Sequence, residues 1–343
     1  MKHLHIMMMK DGAFVGNAGH FDVEIKRDGA IHHDRFEQGK PVQKLEKNGL
    51  LPVIGKTKKT GTRINFKQDP EIFEKLRFRE DDVKSRMHET AYLNPNLTII
   101  YTDKRTDRLE APETVTFHEP DGIRGFVRDL NKNNETVTDI IYFSGESEGV
   151  QIEAAFQYVN EFHENILGFC NNIYNSEGGT HITGFKTIFT QVINQYAREL
   201  GNLKDKDPNF TGTDVRNGMT AVISVKHPDP RFEGQTKTKL DNADAAKAVS
   251  KITGEEIPLY FDRNVDALKA VIGCAEKAAK IRKTEEKAKT NLLTKQKFSF
   301  DSNGKLANCE SRDASKCEIF IVEGDSAGGS AKTARNRMYQ AIL

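Results

Sequence analysis

A carboxylate beside a glycine turn is the strongest candidate for chemistry in this sequence. Glu323 follows the apolar run 319–322, and Gly324 leads into a helix that is expected to open near Ser326. The apolar run predicts a buried strand, and ligands and metals collect at the carboxyl ends of strands in open α/β sheets. Taken alone, however, a Glu-Gly-Asp tripeptide is more often a plain strand-to-helix turn with an exposed acid.

A second candidate group lies in the polar loop 233–240. Gln235 and Lys237 follow a predicted strand at 220–226, which the sequence His-Pro-Asp-Pro at 227–230 interrupts. A lysine on a loop can reach a terminal phosphate as a point charge, and a nearby glutamine amide can donate to the same oxygens. Without further context, a loop with a glycine and several lysines is more often only a solvated polar loop.

The elements that would position these residues fall into three pieces, 1–135, 136–297 and 298–343. In the first piece Asp28-Gly29 signals a hairpin between strands at 22–26 and 31–37. Further strands are expected at 62–66, 97–101 and 114–117, with helices at 81–93, capped by Asp81, and at 122–131. This mixture of strands and helices predicts an α+β fold.

The second piece contains the clearest helix of the chain. An apolar stripe from Ile182 to Leu200 predicts a helix that ends at Gly201. Alternation at 150–158 predicts a half-buried strand. The other expected elements are the strand 220–226, a helix over 241–252 and a long helix over 265–289 that Asn264 caps. The third piece holds only one strand and one helix.

Composition limits the function classes. The chain has 343 residues, of which 37% are hydrophobic and 29% are charged, as in soluble globular proteins of two or three domains. The net charge of +1 excludes a uniformly basic surface. A local exception is 269–297, where nine Lys and Arg residues against three acids give a net of +6. The ordinary interpretation is a solvated helix face, and DNA or another acidic partner is the alternative.

Cysteine usage and hydropathy indicate the compartment. The four cysteines form no Cys-x-x-Cys pair, so a zinc site is not expected, and reduced thiols in a cytoplasmic protein are the simplest interpretation. The sequence has no apolar run of about 18 residues, so no membrane span is expected. The N-terminus lacks the apolar region of a signal peptide.

Several strings of the sequence together resemble one family, the B subunits of bacterial type IIA topoisomerases. The order and separation of the strings are most similar to DNA gyrase B, and topoisomerase IV is the second candidate source of such a chain. The resemblance runs from about Asp22 to Leu343. The matching strings are Thr60-Gly61-Thr62, Glu177-Gly178-Gly179-Thr180-His181, Gly184-Phe185-Lys186, Gln235-Thr236-Lys237 and Gly324-Asp325-Ser326-Ala327-Gly328-Gly329-Ser330-Ala331-Lys332.

The resemblance implies an architecture and an activity. It implies the C-terminal half of a GHKL-type ATPase domain, a transducer domain with a ribosomal-S5-like fold, and the first strand and helix of a metal-binding Toprim domain. In the family, ATP and Mg²⁺ are the cofactors, and two B subunits dimerise on ATP binding as a clamp over DNA. Together with two A subunits they form an A2B2 assembly that passes one duplex through another. Gyrase couples this to negative supercoiling, and topoisomerase IV to decatenation.

The resemblance also implies roles for five residues. Thr62 matches the threonine that helps to hold adenine, and Arg27 matches an arginine at the rim of that pocket. Gln235 and Lys237 match transducer residues that reach the γ-phosphate of ATP. Glu323 matches the catalytic Toprim glutamate that binds Mg²⁺ near the scissile phosphate. His181 is assigned no chemistry.

The sequence also departs from the family pattern. The family's Mg²⁺-binding asparagine, water-activating glutamate, adenine-binding aspartate and glycine-rich lid have no counterpart in Met1–Asp22, and its Asp-x-Asp pair would lie beyond Leu343. We therefore expect a fragment, poorly soluble and inactive alone as an ATPase or DNA-cleaving enzyme. Two alternatives stay open, a non-enzymatic S5-like module that binds protein or RNA, and a GHKL ATPase of the mismatch-repair or chaperone type. Neither of these continues into a Toprim domain.

Overall fold

The computed structural model describes residues 18–42, 44–46, 50–105, 114–298 and 306–343. The chain divides into two compact units, one within Met1–Pro120 and the other within Asp121–Leu343. The segment 1–17, and with it half of the short glycine string 16–19, lies outside the described residues. None of the helices in the described ranges has the length and apolar character that crossing a membrane requires.

The first unit is built around an antiparallel sheet. Its strands are β1 (Ala18–Arg27), β2 (Ala30–Glu37), β3 (Lys40–Pro41), β4 (Val53–Lys56) and β5 (Gly61–Gln68). They follow the order β3-β2-β1-β5, and β4 also pairs with β2. Asp28 and Gly29 join β1 to β2 with φ angles of 53° and 78°, the left-handed backbone of a two-residue hairpin turn. The hairpin prediction is therefore confirmed.

One face of this sheet carries a small apolar core. Phe21, Val23 and Phe36 are buried together with Leu51. Phe66 lies opposite Phe21 on the neighbouring β5, yet 49% of it is exposed. The core therefore covers the β1–β2 part of the face and leaves the β5 part open among the described residues.

A helix and a two-stranded sheet complete the first unit. These are α1 (Glu80–Leu93), β6 (Ile99–Thr102) and β7 (Thr114–Phe117). The prediction that Asp81 caps the helix is wrong, because Arg79 is the N-cap residue and provides no side-chain cap. Asp81 instead lies in the first turn, where an acid interacts favourably with the helix dipole.

The second unit is a mixed sheet with helices on both faces. Helix α2 (Ile123–Leu130) precedes the strands β8 (Ile141–Ser147), β9 (Val150–Tyr158), β10 (Asn165–Cys170) and β11 (Ile173–Tyr174). Then come α3 (Thr180–Glu199), α4 (Gly212–Val215), β12 (Met219–Lys226), α5 (Ala243–Arg263) and α6 (Val265–Phe298). The sheet order is β11-β10-β12-β9-β8, with β10 and β12 parallel and the other neighbours antiparallel.

Strand β9 is more buried than its alternating sequence predicted. Phe156 packs against Phe185 and Phe189 of α3 on one face. On the other face Gln157 is buried because α2 covers it, and its Oε1 accepts a hydrogen bond of 2.9 Å from Asn131 at the end of α2. The half-buried prediction is therefore wrong, since a second helical layer replaces solvent.

Helices α3 and α5 pack closely. A Cβ atom on Gly184 of α3 would lie 2.7 Å from the carbonyl oxygen of Ala246, so only glycine allows this approach. The predicted end of α5 at Ile252 is wrong, because the helix continues through Pro258 to Arg263. Its buried face continues as Thr253, Ile257 and Phe261, and this packing outweighs the local breaking signals.

The first part of the long helix α6 packs into the core of the unit, and an ion pair joins its middle to α4. The Arg282 guanidinium donates to both carboxylate oxygens of Asp214, at 3.0 Å and 2.9 Å, and Asp214 also forms a capping box with Thr211. Burial alone would raise the pKa of Asp214, but the hydrogen bonds from Arg282 and Thr211 lower it overall. Asn264, the predicted cap, directly precedes α6, and its carbonyl accepts a hydrogen bond of 3.2 Å from the amide of Leu268, as at the N-cap position. Its side-chain amide donates to the carbonyl of Tyr260 in α5.

The C-terminal part of the second unit is small. It contains a 3-10 turn at 314–316, β13 (Glu318–Phe320), α7 (Asp325–Ala334) and β14 (Gln340–Ile342), and β13 pairs with β14 in parallel. The prediction that 319–322 is a buried strand is wrong, because 58% of Ile319 and 78% of Ile321 are exposed. Among the described residues β14 is the only strand paired with β13, so its side chains stay in solvent.

Candidate functional site

Thr62 and Arg27 lie at one corner of the first unit's sheet. Thr62 on β5 is directly opposite Ile25 on β1, and Arg27 is two residues further along β1. Because side chains alternate along a strand, the three residues share a face. Thr62 and Arg27 are both exposed, and the ion pair of Arg27 with Asp28, at 3.5 Å, is a surface contact of little energy. The corner can therefore offer a hydroxyl and a guanidinium to a ligand.

Gln235 and Lys237 lie in a tightly closed loop. The backbone amide of Glu233 donates to the carbonyl of Lys239 at 2.9 Å, and Lys237 has a left-handed φ of 57°. The carboxylate of Glu233 also accepts a bond of 2.9 Å from the Lys239 ammonium, which raises the pKa of Lys239. The Lys237 ammonium lies over the ring of Phe232 at 5.9 Å, and Gln235 is exposed. The loop thus holds Lys239 in an ion pair and presents Gln235 to solvent.

The loop is hydrogen-bonded to the turn that begins helix α3. The side-chain amide of Asn175 donates to the carbonyl of Lys237 at 2.8 Å, and the amide of Glu177 donates to the carbonyl of Thr238 at 3.0 Å. The amide of Leu240 donates to the carbonyl of Gly178 at 3.2 Å. Three hydrogen bonds thus join the loop to the segment 175–178, which leads into α3.

Gly179 makes this attachment possible. Its φ is 142°, and a Cβ atom there would lie 2.4 Å from the carbonyl oxygen of Leu240. The glycines of the string Glu-Gly-Gly-Thr-His thus allow two backbone segments to touch. Asn175 was missed in the sequence, because a lone asparagine in a loop carries no signal of a distant partner.

His181 and Lys186, also in the matching strings, have structural contacts. His181 is fully buried beneath Gly168, and burial lowers its pKa to about 4, so the ring is neutral at neutral pH. Lys186 donates to Glu164 at 2.6 Å, and Arg216 donates to the same carboxylate at 2.6 Å. Burial opposes ionisation of Glu164, but these two bonds lower its pKa overall. Neither His181 nor Lys186 is therefore assigned a role in chemistry.

Glu323 lies beyond the end of β13 and is exposed. Mg²⁺ takes near-octahedral oxygen ligands, usually one or two carboxylates with water or phosphate oxygens. Within the described ranges no three His, Cys, Asp or Glu side chains come together as a metal site. The surroundings of Glu323 that the structure describes therefore do not fit a complete Mg²⁺ site.

Comparison with protein families and known proteins gives a consistent result. The model of the family DNA gyrase B matches residues 122–291. The DNA gyrase B subunit of Haloferax lucentense is 46% identical over 339 residues, which cover 97% of this chain and 52% of that protein. The DNA gyrase B subunit of Bacillus mycoides is 42% identical over 339 residues, covering 97% of this chain and 81% of that protein. This chain spans about half the length of most such relatives.

Solved structures agree with the sequence relatives. The 43K ATPase domain of Thermus thermophilus gyrase B, solved with an aminocoumarin, is 32% identical with a TM-score of 0.65. The match covers 81% of this chain and 73% of that one. The topoisomerase IV ATP-binding domain of Francisella tularensis is 25% identical with a TM-score of 0.65, covering 79% of this chain and 71% of that one.

These neighbours confirm the predicted α+β fold and its relation to GHKL ATPase domains, and they favour gyrase B over the alternatives considered from the sequence. The roles of the five predicted site residues and the three-piece division stay predictions. With a relative 42% identical over 81% of its length, the chain belongs to the DNA gyrase B family.

Proposed function

We propose that the chain is part of a DNA gyrase B protein that couples ATP binding and hydrolysis to DNA strand passage and negative supercoiling. Its partners are DNA, gyrase A in an A2B2 assembly, and a second copy of gyrase B with which it dimerises when ATP binds. ATP and Mg²⁺ are the cofactors. The family membership supports the coarse function, and the loop at 233–240 supports the coupling.

The single observation that carries the proposal is the attachment of this loop to the start of α3. Gln235 and Lys237 contact the γ-phosphate of ATP, so the Lys237 ammonium leaves the ring of Phe232 when nucleotide is present. The interaction of this cation with the phosphate disappears after hydrolysis and release. Because Asn175 and Gly178 bond the loop backbone, the change is transmitted to α3.

Thr62 and Arg27 act at the other end of the nucleotide in this proposal. The Thr62 hydroxyl takes part in the hydrogen bonds that hold adenine, and the Arg27 guanidinium lines the rim of that pocket. Their shared face and exposure at the sheet corner support these roles. Arg63, on the opposite face of β5 and 3.9 Å from Glu24, serves as a matched control for Arg27.

We further propose that Glu323 contributes one carboxylate to a divalent cation near the scissile phosphate. When bound, such a cation stabilises the charge that develops on the oxygens during cleavage and resealing. The described residues do not complete the site. We therefore assign to this chain only one ligand.

The experiment uses the gyrase B protein that contains this sequence, reconstituted with gyrase A on relaxed plasmid. We expect ATP-dependent negative supercoiling, and its absence from the wild-type enzyme would overturn the proposed function. Lys237→Ala should reduce ATP turnover by about 100-fold, since it removes the cation that contacts the γ-phosphate in this proposal. Lys239→Ala is the matched control, because Lys239 is paired with Glu233, and its turnover should stay within about threefold. Equal turnover in both variants would remove Lys237 from the phosphate site.

Two further measurements separate the parts of the proposal. Glu323→Gln should abolish Mg²⁺-dependent DNA cleavage, whereas Glu318→Gln, at the start of β13, should cleave normally. Normal cleavage by Glu323→Gln would sink the metal assignment. Calorimetry of the chain itself with a non-hydrolysable ATP analogue and Mg²⁺ should give no binding. Micromolar binding would mean that this chain forms the nucleotide pocket on its own.

A further inference from the structure

Two cysteines that play no part in the proposed function lie side by side in the C-terminal segment. The thiol of Cys309 donates to the Sγ atom of Cys317 at 3.5 Å. Both side chains are partly exposed. A disulfide requires the sulfurs to approach to about 2 Å, so a shift of about 1.5 Å would join them.

The backbone holds the two cysteines in this arrangement. Before Cys309, Ala307 exchanges two backbone hydrogen bonds with Ile342, at 2.7 Å and 3.0 Å. After it, the amide of Ser311 donates to the carbonyl of Met338 at 2.7 Å. Following Cys317, the amide of Glu318 donates to the carbonyl of Tyr339 at 2.8 Å. The residues that flank the two cysteines are thus both hydrogen-bonded to one segment, which consists of β14 and the two residues before it.

The segment between the two cysteines is held by its own hydrogen bonds. Asp313 caps the 3-10 turn at 314–316, accepting bonds from the amide and hydroxyl of Ser315 at 3.2 Å and 2.7 Å. The Cys317 thiol lies 3.2 Å from the carbonyl of Asp313. The pair is therefore preorganised in the folded chain.

The other two cysteines differ in environment. Cys170 is completely buried, and burial raises its pKa to about 12. Burial also raises the pKa of Cys274 on α6. Because a thiolate must be reached by the oxidant, the buried Cys170 should react slowly. The hydrogen bond with Cys317 raises the pKa of Cys309 as well, so Cys309 and Cys317 differ from the partly exposed Cys274 in lying side by side.

We propose that Cys309 and Cys317 form a reversible dithiol–disulfide site that reacts with low-molecular-weight disulfides. One cysteine gives up its proton, and the thiolate attacks a sulfur of the small disulfide, breaking its S–S bond and releasing one thiolate. The second cysteine, also deprotonated, attacks the protein sulfur of the mixed disulfide and releases the other thiolate. The protein loses two electrons and two protons, and the small disulfide becomes two thiols. An excess of small thiol reverses both steps.

The site has a structural consequence for its module. A closed disulfide would tie the beginning of β13 to the segment that pairs with Ile342, and β13 leads directly to Glu323. Oxidation should therefore slow hydrogen exchange in β13. The proposal does not depend on the function proposed above, since it needs only the two thiols.

The test uses the whole chain in glutathione buffers of increasing oxidised fraction. Free thiols are then blocked with N-ethylmaleimide and the protein is digested with trypsin. Arg312 and Lys316 lie between the cysteines, so the disulfide would join the peptides 306–312 and 317–332. We expect this linked pair at an oxidised fraction about tenfold lower in the folded chain than in denaturing guanidinium chloride.

Variants make the result decisive. Cys309→Ser and Cys317→Ser should each accumulate a glutathione adduct on the remaining cysteine, whereas Cys274→Ser, the matched control, should still form the linked peptides. Adducts on both cysteines of the wild-type chain, without the linked pair, would overturn the proposal. Equal oxidation of folded and denatured chains would overturn it as well, because proximity in the fold would then contribute nothing.

Discussion

The side-chain amide of Asn175 donates a hydrogen bond of 2.8 Å to the backbone carbonyl of Lys237, 62 residues further along the chain. Only 2% of Asn175 is exposed, so this bond is sheltered from water. It connects the turn before α3 to the residue whose ammonium we place on the phosphate. The position of Lys237 thus depends on a residue that itself contacts no nucleotide.

Asn175→Ala should loosen the loop without removing Lys237. A buried carbonyl that loses its donor costs about 1–3 kcal/mol, so the free energy of unfolding should fall by that amount in urea titration. Hydrogen exchange at 237–240 should become faster. Asn202→Ala is the control, because the exposed Asn202 bonds only to Glu276 in the described structure, at 3.0 Å. Unchanged exchange in Asn175→Ala would show that the other backbone bonds suffice.

Gly179→Ala should be strongly destabilising. The φ of 142° is unfavourable for alanine, and its Cβ would lie 2.4 Å from the carbonyl oxygen of Leu240. We expect a loss of about 3 kcal/mol or more, measured as the free energy of unfolding. Gly273→Ala, in α6 with no atom near its added Cβ, should instead stabilise by up to about 1 kcal/mol. Similar stability of the two variants would contradict the close approach of the segments.

Because His181 is buried and neutral, the stability of the folded chain should depend on pH. Burial lowers its pKa to about 4 from an ordinary 6.5, so the unfolded chain binds its proton first as the pH falls. Stability is complete above pH 6.5 and declines between 6.5 and 4. Between pH 7 and 4.5 the wild-type chain should lose about 2–3 kcal/mol more than His181→Leu. His163→Leu, at an exposed position, is the control and should lose the same stability as the wild-type chain over this pH range. If stability fell equally with pH in all three proteins, the result would argue against a neutral buried ring at His181.

Asp214→Asn tests the attachment of α6. Removing one partner of a buried ion pair costs about 3–5 kcal/mol, so the variant should unfold at markedly lower urea at pH 7. The pKa of Asp214 is lower in the folded chain than its ordinary value near 4. The extra stability of the wild-type chain over Asp214→Asn is therefore complete above that ordinary pKa, and it is lost as the pH falls through the lower pKa of the folded state. Asp205→Asn, at an exposed site, should change stability by less than about 0.5 kcal/mol. A pH-independent difference would assign the effect to packing alone.

Local signals predicted the elements that depend on local physics. Asp28-Gly29 specified a left-handed turn, and the apolar stripe from Ile182 specified α3 almost to the residue. The end of α5 and the exposure of Ile319 were not predictable in this way. Both depend on which other elements pack nearby, and that information is spread over distant parts of the chain.

In the candidate site, too, some features could be predicted from the sequence and others could not. Its motif residues were located by type and spacing, and Thr62 and Arg27 indeed share a sheet corner. The contact of Asn175 with Lys237 and the pairing of Cys309 with Cys317 left no trace in the spacing. Each arises because the fold brings together backbone segments whose sequences carry no mutual signal.

The ion pair of Arg282 with Asp214 holds the middle of α6 against α4. Sixteen residues of the helix (298 minus 282) extend beyond Arg282, a reach of about 24 Å at 1.5 Å per residue. A tilt of about 5° at this point would carry the far end about 2 Å. Because of this length, a small change in the direction of α6 at Arg282 produces a larger displacement at Phe298.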